Sequence, residues 1–320
     1  MNKKKFFASV VAAAIVLLPA MTSCHNKIDE EVNENSKVEL RLSTGVEAAT
    51  LFRASFPETD KQIPYGRKVA VYVYEAGGGA PLYEKNILTA DGNGGLFGGE
   101  PMYFPANGNK VDIYAYHTNA ELPATLPSGT LVHTVSNNQK TIDGYASSDM
   151  LHVGIFNVAR TTSPVKLNFY HCFSKLQVAV KAGDGLTAAD IVGITINGTK
   201  LESEFSIAQN GSIMTSDPSL DADTSPIEIG SNVSEDFGSG IRYNDAIIVP
   251  QILVPGTAFI IVHLSTGSDL IYRASSDTYF YLGRKYIYHI TANLTGLKLT
   301  TSILDWNWWD SPVSGEATTE

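Results

Sequence analysis

From Lys37 onward, apolar and polar residues alternate with a period of two, and Val, Ile, Tyr, Phe and Thr concentrate between clusters of Gly, Pro, Asn and Asp. That is the pattern of half-buried β-strands, whose successive side chains point to opposite faces. In the first half the clearest runs are Val38-Glu39-Leu40-Arg41-Leu42, Val69 to Tyr74 and Val111 to Tyr116. Val165 to Phe169, Leu176 to Val180, Ile191 to Ile196, Ala246 to Val249, Phe259 to Leu264, Ile271 to Ala274 and Tyr286 to Ile290 follow. Helical periodicity is nearly absent; a single turn at Thr187-Ala188-Ala189-Asp190 is the one helical expectation. Many short strands between turn signals predict an all-β chain built of β-sandwiches. The polar segment Ala159 to Pro164 divides it into two strand-rich units, 37–162 and 163–313, with a tail at 314–320. Ser216 to Ser225 is an acidic, irregular stretch expected as a loop. Gly77-Gly78-Gly79 and Asp91-Gly92-Asn93-Gly94-Gly95 are expected as turns, because a phosphate-binding loop needs a helix after it and none follows.

The first residues break the period. Lys3, Lys4 and Lys5 precede an apolar run from Phe6 to Leu18, then Pro19 and Ala20-Met21-Thr22-Ser23-Cys24. A basic start, a short apolar core and a small-residue exit make a secretory signal peptide, and the run is too short to cross a bilayer. Cys24 after small residues resembles the lipobox of bacterial lipoproteins, although Met21 stands where an aliphatic residue is usual. The resemblance implies a diacylglyceryl thioether on Cys24, acylation of its amine, and removal of the leader before it. Residues 25–36, with Asp29-Glu30-Glu31, are expected as a disordered acidic tether. They also resemble the acidic export signal of surface lipoproteins of Bacteroidales, with a plain solvated spacer as the alternative.

Loss of Lys3, Lys4 and Lys5 with the leader leaves 20 basic against 33 acidic residues, a formal charge of about −13 with neutral histidines. Such a surface repels phosphate backbones and anionic head groups, so nucleic acid is excluded as a partner and membrane attachment must come from lipid. Beyond Cys24 only Cys172 remains, so the exported part holds no internal disulfide and depends on packing. Cys172 follows His171, but neighbours on a strand face opposite ways, and a buried thiol is expected there rather than a nucleophile with its base. The seven histidines follow no metal-ligand spacing, no Gly-x-Ser-x-Gly occurs, and Asp217, Asp221 and Asp223 lack the EF-hand pattern. No catalytic residues, metal or cofactor are therefore expected. Trp306-Asn307-Trp308-Trp309 follows an alternating run, which points to anchoring of the last strand, with stacking on sugar rings as the alternative.

Taken in order, these segments resemble the fimbrillin family of Bacteroidales, the lipoprotein-derived subunits of type V pili. The lipobox-like Cys24, the strand Val38 to Leu42, the linker with Arg53 and the strand Arg67 to Tyr74 come first. Val165 to His171 with Ser174-Lys175-Leu176, then Lys285 to Leu297 leading into Ile303-Leu304-Asp305-Trp306, complete the resemblance. It implies two transthyretin-like Greek-key β-sandwich domains in tandem. It also implies an outer-membrane surface lipoprotein that an arginine- or lysine-specific protease cuts. The first strand then leaves, and the exposed groove accepts a strand from another subunit, yielding an extracellular, adhesive pilus. In this chain Val38, Leu40 and Leu42 would fill the groove before the cut, and Arg53 is the best cleavage position because it lies past that strand. Leu299, Ile303 and Trp306 mark the C-terminal strand, as donor or as closing strand. An uncut anchor, a tip adhesin, or a monomeric glycan-binding lipoprotein using Trp306, Trp308 and Trp309 remain as alternatives.

Overall fold

The computed structural model describes residues 37–46, 62–219, 224–238, 240–306 and 317–319; Cys24, Arg53, Trp308 and Trp309 lie outside them. The first strands are β1 (Leu42–Val46), β2 (Lys68–Glu75), β3 (Pro81–Ala90), β4 (Leu96–Phe97), β5 (Val111–His117), β6 (Leu131–Thr134), β7 (Leu151–Val158) and β8 (Val165–His171). Then come β9 (Ser174–Ala182), β10 (Ile191–Ile196), β11 (Glu202–Ile207), β12 (Ile213–Pro218), β13 (Ile227–Gly230), β14 (Val233–Ser234) and β15 (Asn244–Ile248). The last are β16 (Gln251–Leu253), β17 (Ala258–Leu264), β18 (Asp269–Arg273), β19 (Thr278–Phe280), β20 (Arg284–Asn293), β21 (Gly296–Asp305) and β22 (Ala317–Thr319). The chain is thus nearly all β, and the expected helical turn is a 3₁₀ turn at Ala188–Asp190 capped by Thr187. A short helix, α1 (Ile142–Ser148), has no counterpart in the sequence pattern.

The N-terminal sheet has the order β1-β8-β7-β5-β2-β3-β4. Its central strands are buried on both faces because aliphatic residues and Tyr alternate along them. Val69, Val71, Val73, Ile113 and Ala115 face one core, while Tyr72, Tyr114 and Tyr116 face a second core shared with the C-terminal half. The sheet curls until its edges meet: β1 pairs in parallel with β8, and Ser43 bridges Gly95 just ahead of β4. Closing a sheet on itself removes the exposed edges that would otherwise pair with other chains.

The C-terminal half packs the sheet β13-β10-β17-β18 against the sheet β14-β9-β20-β21-β22, with β15 also paired to β9. Ile194, Ile196 and Val262 from one and Leu176, Val178 and Ile290 from the other share one core. The expected boundary between 162 and 163 divides neither half cleanly. β8, expected to open the second unit, completes the first sheet beside β7 and β1, whereas β6 pairs with β11 beyond the boundary. Gln139 extends the interlock, accepting from the Ile247 N–H at 2.7 Å and donating to its carbonyl at 2.8 Å. Ser216, Asp217 and Pro218, expected in a loop, lie in β12 opposite Phe205, Glu204 and Ser203, because pairing with β11 overrides their low strand propensity.

Candidate functional site

Residues 38–46 close the N-terminal sheet. Leu40, Leu42 and Thr44 point inward and are buried, Val38 packs against the same core, and Glu39 and Arg41 are exposed. The strand is held on both sides. Toward β8 the register runs from Leu42 opposite Val165 to Val46 opposite Phe169, and the Val165 N–H donates to the Arg41 carbonyl at 2.8 Å. On the other side the contacts are sparse: Leu40 N–H donates to the Met102 carbonyl at 2.8 Å, Thr44 N–H to that of Gly94 at 2.7 Å, and Phe104 N–H to that of Val38 at 2.9 Å. Gly94 makes this approach feasible, for it has φ +93° and a Cβ there would stand 3.1 Å from the Thr44 carbonyl oxygen. A cavity of about 400 Å³ runs beside residues 39–43, bounded by Leu88, Leu96, Met102 and Pro164.

The expected pocket-filling residues Val38, Leu40 and Leu42 share this site; regular pairing, however, starts at Leu42 and continues to Val46. Met102 and Phe104, buried two residues apart on the facing segment, are site residues that the sequence analysis missed. Their signal was the alternation in Pro101-Met102-Tyr103-Phe104, too short to stand out.

At the far end, β21 is zipped to β20 over ten residue pairs, from Asp305 opposite Arg284 to Gly296 opposite Asn293. Leu299 is buried and Ile303 is partly exposed. Trp306 is 1% exposed, stacks on His171 with ring centroids 3.5 Å apart, and lies under the Lys175 ammonium at 5.7 Å. A ring so enclosed is not available to a sugar, so the platform of three tryptophans loses its first member. His171 in turn holds Asp149 through Nδ1 at 2.9 Å, and Lys175 lies 3.8 Å from Asp245, both fully buried. Burial of the Lys175 and Asp245 charges apart from each other would be costly, and here each stands beside its counter-charge.

Little else among the described residues resembles a reaction centre. Among the described residues no group of three His, Cys, Asp or Glu side chains could hold a metal ion. Cys172 is buried, and burial, with Asp149 nearby, pushes its thiol well up, away from the reactive thiolate. Thr195, His263 and Asp269 form a hydrogen-bonded chain at 3.1 and 2.7 Å. They occupy neighbouring positions across β10, β17 and β18, where such polar pairs stabilise a sheet, and His263 and Asp269 stay partly exposed. Burial drives the His133 imidazole down to about 3 and that of His152 to about 4, so both stay neutral.

Comparison with known proteins covers most of the chain. A family model described as fimbrillin-like matches residues 53–306. A Bacteroides uniformis protein assigned as the fimbrium subunit Fim1C is 24% identical over 314 residues, covering 96% of each chain. Two crystal structures described as cell adhesion proteins share the fold. One, from Bacteroides uniformis, has a TM-score of 0.61 at 19% identity, covering 84% of this chain and 98% of that one. The other, from Bacteroides ovatus, has a TM-score of 0.61 at 17% identity, covering 86% and 100%.

Proposed function

Because the chain belongs to the fimbrillin-like family, we propose that it is a structural, non-enzymatic pilus subunit that polymerises by exchange of its first strand. In this reading it is exported as an outer-membrane lipoprotein through Cys24, an arginine-specific protease cuts after Arg53, and residues 38–46 depart with the lipidated Cys24 and the tether.

The observation that carries the reading is the closing strand itself. It is a single segment, bonded regularly to β8 but sparsely to residues 94–104, and it contributes Leu40 and Leu42 to a core whose other members come from elsewhere. Its departure would expose the β8 edge and uncover apolar pockets at alternate positions, the two elements of β-augmentation. Burial of each leucine contributes about 1.5–3 kcal/mol, which an incoming strand of the same pattern restores. The adjoining cavity, lined in part by residues 39–43 themselves, would border the incoming strand. In this reading β21 is the closing strand of the C-terminal sheet, because Trp306 and ten residue pairs hold it, and a donated segment lies beyond Trp306.

Digestion with an arginine-specific protease, followed by N-terminal sequencing, tests the processing step. The reading predicts one dominant new terminus at Ala54 and its loss in Arg53→Ala. A mature form that starts at Cys24, or cutting that the substitution leaves unchanged, would remove it.

A further inference from the structure

A second concavity lies on the C-terminal half, remote from the closing strand in the chain, and its lining differs in kind. It encloses about 330 Å³ between the β18–β19 turn, β19 and the outer part of β20 and β21. That volume lies within the range of small-ligand sites. Five of the chain's 15 tyrosines line it: Tyr272, Tyr279, Tyr281, Tyr286 and Tyr288. Such a concentration calls for a reason beyond strand propensity.

The depth profile supplies one. Tyr286, Tyr288 and Leu299 are buried and form the floor, whereas Tyr279 and Tyr281 at the mouth are 45% and 60% exposed. Phe280 between them is buried in the core, so the alternation that places it inside turns two large rings outward, where a solvated sheet face would carry polar residues. Their ring planes are within 10° of parallel with centroids 6.0 Å apart, which leaves offset aromatic faces side by side. The mouth is also preorganised: the Tyr281 N–H donates to the Tyr286 hydroxyl at 2.8 Å, and Thr278 donates to the Ser276 carbonyl at 3.2 Å.

The polar lining decides the ligand class. Ser275, Ser276, Thr301 and Ser302 bring hydroxyls, Asp277 brings the sole charge, and no Lys, Arg or His contributes. An anionic ligand would meet a carboxylate and no cation. A molecule with an apolar face for the tyrosine rings and hydroxyls around its edge meets both parts of the lining. Burial keeps the phenols of Tyr272, Tyr286 and Tyr288 protonated, that of Tyr286 with its pKa pushed up to about 12, so they stay neutral and hydroxyl-bearing at physiological pH.

We propose that this pocket binds a neutral sugar ring, stacked on Tyr279 and Tyr281 and hydrogen-bonded by Asp277 and the surrounding hydroxyls.

Saturation-transfer NMR on the full, uncut chain tests this, with glucose, galactose, mannose, N-acetylglucosamine, N-acetylgalactosamine and fucose as probes and sialic acid as the charged control. At least one neutral sugar should show transfer, sialic acid none, and the Tyr279→Ala/Tyr281→Ala double variant should weaken binding by about tenfold or more. Both rings are exposed, so the variant should melt as the parent does; Asp277→Asn, on the rim, should also weaken binding and keeps the rings. No transfer from any neutral sugar, transfer that survives the double variant, or preference for sialic acid would each overturn the proposal. Because the uncut monomer is used, any of these leaves the strand-exchange reading untouched.

Discussion

Leu40 and Leu42 carry the closure of the N-terminal sheet, at 3% and 8% exposure. Leu40→Ala should cost about 2–5 kcal/mol in urea denaturation, against less than about 0.5 kcal/mol for Glu39→Ala on the solvent face. His133 and His152 make a second prediction. Their imidazoles lie at about 3 and about 4 in the folded chain, below the unfolded value of about 6.5. As pH falls, the unfolded chain takes up these protons first. Stability is thus complete above about pH 6.5 and lost from there down toward pH 4 for His152 and pH 3 for His133. The urea midpoint should fall between pH 7 and pH 5, and His152→Gln should flatten that fall. At this scale the inward set of the first strand was legible, because alternation alone fixes which side chains share a face. The burial of Trp306 was legible only as one of two options, since its partners His171 and Lys175 are distant in the chain and no local pattern joins them.

Elements were legible where aliphatic residues and Tyr alternate, as in β2 and β5. Helix α1 was not, because Ile142-Asp143-Gly144-Tyr145-Ala146-Ser147-Ser148 has weak helix propensity and is held by its surroundings. Thr141 caps it through the Gly144 N–H at 3.1 Å, and Tyr145 and Ala146 are buried. The parallel pairing of β1 with β8 was equally hidden: strand register is a tertiary choice, and each strand reads the same whichever partner it takes. Gly94 ties this element to function. Gly94→Ala strains a left-handed backbone position and crowds the Thr44 carbonyl, so the closing strand should loosen while the rest of the fold persists. Hydrogen exchange should then speed up at Leu40 and Thr44 and stay unchanged in β20.

For the molecule as a whole, the two halves are interlocked by β6, β8 and Gln139. A chain ending at 162 lacks β8 and with it the partner of both β1 and β7, so it should show the narrow amide dispersion of an unfolded polypeptide. That interlock also bears on assembly, because loss of the first strand must leave a body stable enough to wait for its replacement. Most of the remaining core comes from strands β2 to β21, untouched by a cut at Arg53. The most direct test takes the protein beginning at Ala54 and follows its size by electrophoresis without boiling, with and without a synthetic peptide of residues 37–46. The account predicts a ladder of polymers that the peptide suppresses and a Leu42→Glu peptide does not. A protein that stays monomeric after loss of the strand, or a ladder indifferent to the peptide, would contradict it.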